Sequence, residues 1–263
     1  MTTPAVAALP SILLTLILCM RVFGISEDIH GILFREELGS SFFMTTDGGK
    51  SWNSIEKGLP EKPWGRVFVD VSAADPNVVY LLIEAKKTYF YRSEDSGKTW
   101  KLMNNKPYDV GERPFYFGFF VPDPVDTNTI YKPGFSLQVS DDGGKRFMGT
   151  SVKGGSFHSD VNALWINPHD NRMMYLGTDG GVYLSKDRAA TWKFFRNLPV
   201  AQFYHVSVDN EKPYNVFGGL QDNGSWVAPS KSPGGIGNND WKNIGFGDGF
   251  NVLRDPSDKI IFL

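Results

Sequence analysis

The chain has one cysteine in 263 residues, Cys19, which excludes an internal disulfide and a cysteine-rich zinc site. It has no marked excess of either charge. Lys and Arg number 27 and Asp and Glu 29, for a formal net charge of −2, and no basic run is long enough to follow a phosphate backbone. Nucleic acid is therefore not an expected partner. Helical periodicity is nearly absent, and the four histidines include no HExxH and no His-x-His. His158 and Asp160 with a neighbouring acid have the residue types of a metal site without its spacing, so no metal and no cofactor is expected. Long apolar runs are missing except in residues 1–20, where AVAALPSILLTLILCM (Ala5–Met20) is too short for a membrane span and is interrupted by Pro10. Two readings of this segment stay open. One is a signal or anchor that lacks a charged n-region and a clean small-residue cleavage site; the other is the irregular start of a truncated chain.

What the chain does have is a core's worth of apolar residues, 41% with 14% aromatic, and a repeat. TTDGGKSW (Thr45–Trp52), SEDSGKTW (Ser93–Trp100), SDDGGKRF (Ser140–Phe147) and SKDRAATW (Ser185–Trp192) place Asp47, Asp95, Asp142 and Asp187 at intervals of 48, 47 and 45 residues. Short alternating apolar runs flank each copy, the pattern of a hairpin, and the glycines, aspartate and hydroxyl residues suit a tight turn. Upstream lie two more strand-like runs joined by Pro/Asp/Asn turns, as in VFVDVSAADPNVVYLLIE. A unit is then four antiparallel strands, A to D, in about 45 residues, the size of one propeller blade.

The expected fold is all-β: a propeller of four-stranded blades with about five units at 21–62, 63–105, 113–152, 155–199 and 200–246, and a partial unit at 247–263. In the fifth unit a loop over roughly 229–240 replaces the tight turn. The last partial unit would either pair with the first to close a five-bladed ring or belong to a fragment of a longer propeller. The apolar N-terminus, unlike an upstream blade, favours the fragment.

The boxes resemble the Asp-box, or BNR, repeat of sialidases, xyloglucan-cleaving glycoside hydrolases and the sortilin ectodomain. The run HSDVNALWINPHDNRMMYLGTDGGVYLSKDRAATW, with NLPVAQFYHVSVDNEKPYNVFGGLQDNGSW and GFGDGF, is similar to bacterial sortilin N-terminal-domain-like proteins described as BNR-repeat glycosyl hydrolases. That resemblance runs from about Gly65 to the C-terminus. It implies an exported protein, secreted or held in the periplasm or cell envelope, and a longer parent chain with further blades or a second domain. Ala189 stands where the fourth box has glycine in that pattern, Phe147 stands for Trp, and the first unit is eroded. No arginine triad of the sialidase kind is present.

Strand direction sorts the candidate residues. C–D turns share one rim with A–B turns, so Asp47, Asp95, Asp142 and Asp187 read as structural, with Trp52, Trp100 and Trp192 packing at blade seams. B–C turns and D-to-A links share the other rim, which collects Asp179, Asp222, His158, Asp160 and Asp248, with Arg66 from the second unit. Glycosidic cleavage needs two facing carboxyls, and Asp179, Asp222, Asp160 and Asp248 are the candidates. The TDGG turn around Asp179 resembles the turn that carries a catalytic aspartate in xyloglucan-cleaving propellers. The alternative is that Asp179 and Asp222 only cap their own Gly-rich turns. His158, His205, Arg66 and Asn223 are candidate ligand contacts, as are Asn162 and Asn251 with Phe157, Phe203 and Tyr204. Two functions stay open: an exported module binding a peptide, protein or glycan on this rim, and a xyloglucanase-like glycoside hydrolase using an aspartate pair.

Overall fold

In this computed structural model the described residues are 19–23, 40–150, 157–198, 200–255 and 261–262. The apolar N-terminal segment lies outside them except for Cys19 and Met20, which open the first strand. Among the described residues no helix is long and apolar enough to cross a membrane.

The fold is all-β. A three-stranded sheet consists of β1 (Cys19–Phe23), β2 (Ser41–Thr45) and β3 (Asn53–Ser54). A four-stranded sheet follows: β4 (Val67–Val71), β5 (Val79–Glu84), β6 (Thr88–Ser93) and β7 (Lys101–Asn104). After the one-turn helix α1 (Pro107–Val110) come β8 (Val121–Pro122), β9 (Ile130–Lys132), β10 (Gln138–Ser140) and β11 (Met148–Gly149). The next sheet holds β12 (Val161–Ile166), β13 (Met174–Thr178), β14 (Gly181–Ser185) and β15 (Lys193–Phe194). The last four-stranded sheet holds β16 (Phe203–Val208), β17 (Asn215–Leu220), β18 (Gly224–Pro229) and β19 (Lys242–Gly245). Then β20 (Leu253–Arg254) pairs with β21 (Ile261–Phe262) in a sheet of two. In each four-stranded sheet the spatial order is the chain order, the up-and-down meander of a propeller blade. The chain divides into two compact units, Met1–Leu176 with Leu184–Trp192, and Gly177–Tyr183 with Lys193–Leu263.

In the first unit, period-two alternation along β5 explains the packing. All six of its residues are buried. Val79, Leu81 and Ile83 join Phe42, Trp64, Val67, Val69 and Tyr91 in one cluster, while Val78, Tyr80 and Leu82 join Phe90, Val110, Phe120, Ile130 and Phe147 in another. Opposite faces of one sheet thus serve two cores. The aromatic at the end of a box reaches the preceding sheet: Trp100 meets Phe42 edge-on at 5.7 Å between centroids, and Phe147 meets Phe90 at 5.3 Å.

The box turns repeat one hydrogen-bond scheme. In the second, the Ser93 hydroxyl donates to Asp95 Oδ1 (2.7 Å) and accepts from the Gly97 amide (2.8 Å), while Asp95 accepts from the Thr99 amide (2.8 Å) and hydroxyl (2.6 Å). Thr45, Asp47 and Ser51 repeat it, as do Ser185, Asp187 and Thr191. In the third turn the Arg146 guanidinium, 3.1 Å from Asp142 Oδ2, takes the place of the last hydroxyl. The Ser51 hydroxyl, then its amide and the Thr45 hydroxyl, hold the Asp47 carboxyl at about 2. Burial opposes ionisation of Asp95 most, but the Thr99 hydroxyl and amide with the Ser93 hydroxyl together outweigh it and hold that carboxyl at about 2 as well.

Two consecutive residues in each turn take positive φ: Gly48 and Gly49, Ser96 and Gly97, Gly143 and Gly144, and Arg188 and Ala189. Ala189, at φ 64°, therefore keeps the turn that its sequence departs from. The buried Asp123 carboxylate, 0% exposed, ties the third sheet to two turns of the fourth, through Asn171 Nδ2 (2.9 Å) between β12 and β13 and Arg188 Nη2 (3.2 Å) in the box turn. Correspondingly, Arg92 Nη1 donates to the Thr127 carbonyl and to Asn128 Oδ1, both at 3.0 Å.

Three outcomes are expected. Asp47 and Asp95 have folded values near 2, below the ordinary 3.8. Their stabilisation is then complete above about pH 4 and is lost as pH falls towards 2. Thermal unfolding followed by circular dichroism should show Asp95→Asn less stable at pH 7 but with a smaller further loss on acidification than the parent; parallel losses would count against this. Gly144→Ala should destabilise by about 2 kcal/mol or more, since a left-handed Ala costs ~1–2 kcal/mol and overpacking adds to it. A Cβ there would stand 2.2 Å from Phe90 Cε1. Ala189→Gly should be nearly neutral, because relief of that strain roughly offsets the ~0.8 kcal/mol of a buried methyl.

Candidate functional site

Within the second unit two B–C turns carry acids. The turn between β13 and β14 is closed by Thr178, whose hydroxyl accepts from the Gly180 amide at 3.1 Å and donates to the Gly181 carbonyl at 3.2 Å, and its tip presents Asp179 exposed. The turn between β17 and β18 holds Asp222 at φ 57°. Asn223 joins the two turns: its Nδ2 donates to the Gln221 carbonyl (2.8 Å) and to the Asp179 carbonyl (3.0 Å). A carboxylate oxygen of Asp179 lies within 4.8 Å of one of Asp222. Two carboxylates this close, on neighbouring turns, form one acidic patch whose oxygens can accept hydrogen bonds from a single bound group.

The GFGDGF loop braces this pair. Asp248 Oδ1 accepts from the Asp222 amide at 2.9 Å, the Gly224 amide donates to the Gly247 carbonyl at 2.8 Å, and the Gly249 amide donates to the Leu220 carbonyl at 2.9 Å. The approach is close enough to need glycine on both sides. A Cβ on Gly249 would lie 2.2 Å from the Gly224 carbonyl oxygen, and one on Gly219 would lie 2.4 Å from the Gly249 carbonyl carbon. Trp226 Nε1 donates to the Asn223 carbonyl at 2.7 Å and so fixes the turn from beneath. The His205 ring stands edge-on to Phe250 at 4.6 Å, with Tyr204 at 5.2 Å from the same ring. Phe203 packs on Trp241 at 5.4 Å, and Phe246 is 97% exposed at the start of the loop.

Of the other sequence candidates, Asn251 follows Phe250 in the second unit and the rest belong to the first. Asp160, at φ 59°, accepts from the Ser159 hydroxyl at 2.9 Å, and its backbone amide donates to the Phe135 carbonyl at 3.2 Å. His158 Nδ1 lies 3.1 Å from the Ser159 carbonyl, and Asn162 Nδ2 donates to the Asp160 carbonyl at 3.1 Å. Arg66 Nη1 donates to the Tyr116 carbonyl at 3.1 Å. Phe157 meets Trp192, also at a box end, edge-on at 5.9 Å. Residues that the sequence reading did not single out are Trp226, Gly219 and Phe246. The only signal for Gly219 and Gly249 as contact residues was the density of glycine around the GGLQDNG and GFGDGF segments.

Gly249→Ala should push the loop off the Asp222 turn. The expected result is a loss of about 1–3 kcal/mol in stability, as for overpacking. Amide shifts in a ¹⁵N spectrum should be concentrated at 220–224 and 246–250; shifts spread evenly over β16–β19 would overturn this account of the loop.

No family model matches the chain. Among curated proteins, the oligoxyloglucan-reducing end-specific xyloglucanase of Emericella nidulans is 23% identical over 234 residues, covering 77% of this chain and 28% of that protein. Vacuolar protein sorting/targeting protein 10 of Chaetomium globosum is 25% identical over 104 residues, covering 40% of this chain and 6% of that protein. Among solved structures, a GH74 enzyme of Niastella koreensis superposes with a TM-score of 0.42 at 17% identity, covering 73% of this chain and 32% of that one. The chain thus spans less than a third of the length of these curated relatives.

Proposed function

We infer that this chain is a glycan-directed Asp-box propeller module whose site is a glycoside-hydrolase centre for a xyloglucan-type polysaccharide, with Asp179 and Asp222 as the acid pair. The observation that carries this is the pair itself: carboxylate oxygens within 4.8 Å of one another, on two turns joined by Asn223. One carboxyl would protonate the leaving oxygen and the other would act as base or nucleophile. Asp248 positions Asp222 through its backbone amide. The exposed Phe246 ring, two residues before Asp248 in the bracing loop, offers a sugar a flat apolar face. The sequence likeness to a protein named as a xyloglucanase supports the substrate class. Asp160 stays a candidate on the sequence argument. Export, and a longer parent supplying further blades, belong to the same reading.

A second reading has its own support. Asp248 accepts from the Asp222 amide, and Asn223 bonds the backbone of the Asp179 turn, so these polar groups brace turns as a binding module's would. Assays on the 263-residue chain separate the two. Hydrolysis of xyloglucan should be lost in Asp179→Asn and Asp222→Asn by a factor of about 10²–10⁴, with affinity for the polymer in gel retardation retained. Retardation without hydrolysis in the parent would leave the binding module, and neither effect would remove both readings.

A further inference from the structure

We propose that the link between β7 and β8, residues 105–120 of the first unit, is a pH-sensitive strap, closed over Lys132 while that amine is neutral and loosened when it becomes an ammonium. The Asp179 pair has no part in it. Lys132 on β9 and Gln138 on β10 are direct cross-strand partners, so their side chains share one face, and two-residue alternation puts Ile130 on it as well. Ile130 packs with Tyr80, Leu82, Phe90, Phe120 and Val110, so this face looks onto the second sheet. The link covers it through α1. Gln138 Nε2 donates to the Tyr108 carbonyl at 3.2 Å, and Val110 is buried in the same cluster as Ile130.

Lys132 is 1% exposed, and its Nζ has no hydrogen-bond partner among the described residues; Gln138 Oε1 is buried and likewise without one. An ammonium in this position carries its full desolvation cost, and a neutral amine carries much less. Two carboxylates of the link act on it, and both are engaged elsewhere. Glu112 Oε2 accepts from the Phe135 amide at 3.3 Å, and Asp109 Oδ2 accepts from Asn104 Nδ2 at 2.7 Å. Burial therefore lowers the Lys132 amine from its ordinary 10.5, with Glu112 and then Asp109 offsetting only part of the effect. In the cluster facing the second sheet the one titratable member is Tyr80, which burial pushes up to about 12 and whose hydroxyl donates to the Thr127 carbonyl. Opening the strap returns water to Lys132 Nζ and restores the ordinary value. Closure is then weakest below the depressed value and gains as pH rises from there towards 10.5. The strap presents Tyr108, 91% exposed, and holds Arg66 Nη1 on the Tyr116 carbonyl at 3.1 Å, so loosening it changes the surface it forms.

Two measurements on the full chain test the strap. In a ¹³C titration of the lysine ε-methylenes, the Lys132 signal, identified by its loss in Lys132→Met, should have its midpoint below those of the exposed lysines. Hydrogen exchange at pH 7 then follows the Val110, Gly111 and Phe117 amides, whose acceptors lie within the link, against the Leu81 amide in β5 as the measure of overall stability. Relative to Leu81, the link amides should be at least about tenfold more protected in Lys132→Met than in the parent, since each unit by which closure lowers the amine is a factor of ten. Lys132→Arg, which keeps its charge, should leave them no more protected than in the parent. A Lys132 midpoint among those of the exposed lysines, or link protection in Lys132→Met that matches the parent or rises only in step with Leu81, would overturn the proposal.

Discussion

The structure depends on one repeated bond, in which the amide of the residue after each of three box aspartates donates to a carbonyl of the A–B turn in the same sheet. Ser96 gives it to Asn77 (2.8 Å), Gly143 to Asn128 (2.9 Å) and Arg188 to Arg172 (3.2 Å). That amide points across the sheet end because its residue and the next take positive φ. The aspartate holds this unusual turn by accepting from two groups of a residue four places on, as Asp95 does from Thr99. Three consequences follow from one local scheme: the two turns at that end of the sheet are locked together, the C and D strands leave in register, and the box aromatic is delivered to the preceding sheet.

With one end of each sheet fixed in this way, the other end can vary. Antiparallel alternation places B–C turns opposite the C–D turns, so substitutions at TDGG or LQDNG do not disturb the bonds that square the sheet. The fifth sheet shows the exchange most clearly. It has no box between β18 and β19, and the chain there runs through a longer loop. Its bracing comes instead from the B–C end, where Gly247 and Gly249 bond the Asp222 turn, and from Asp209, which accepts from the Asn215 amide and side chain at 2.7 Å.

Features set within a few residues were legible in the sequence. The four box turns and the meander order are of this kind, since a Ser/Thr-x-Asp pattern, a pair of small residues and flanking alternation state their own bonds. The third and fourth turns show how far the pattern tolerates change: Arg146 replaces a hydroxyl with a guanidinium, and Arg188 adopts positive φ while its side chain reaches Asp123. The Asp123 contacts were not legible, because they join residues 48 and 65 positions apart that carry no shared motif. Nor was the start of β1 at Cys19, within a stretch whose apolar texture masks strand alternation. Alternation puts Asp179 and Asp222 in B–C turns, but their separation depends on Asn223 bridging two backbones and on glycines that let a loop approach.

The same accounting divides the aspartates chemically. A box carboxylate such as Asp47 accepts from two hydroxyls and an amide, and the Ser51 hydroxyl leads the causes that bring it to about 2. It is ionised throughout the physiological range and has little capacity to take up a proton, so it is poorly suited to acid–base work. Asp179 and Asp222 stand in a different relation to the backbone. Their turns are held in part by other groups: the Thr178 hydroxyl in one, and the Asn223 side chain with the Asp248 carboxylate in the other. Turn closure and proton transfer make opposite demands on a carboxyl group, so a box carboxylate committed to its own turn is a poor candidate for the second task. Acids at opposite ends of the sheets thus share a residue type and a turn-forming tendency, while different groups hold the turns they sit in.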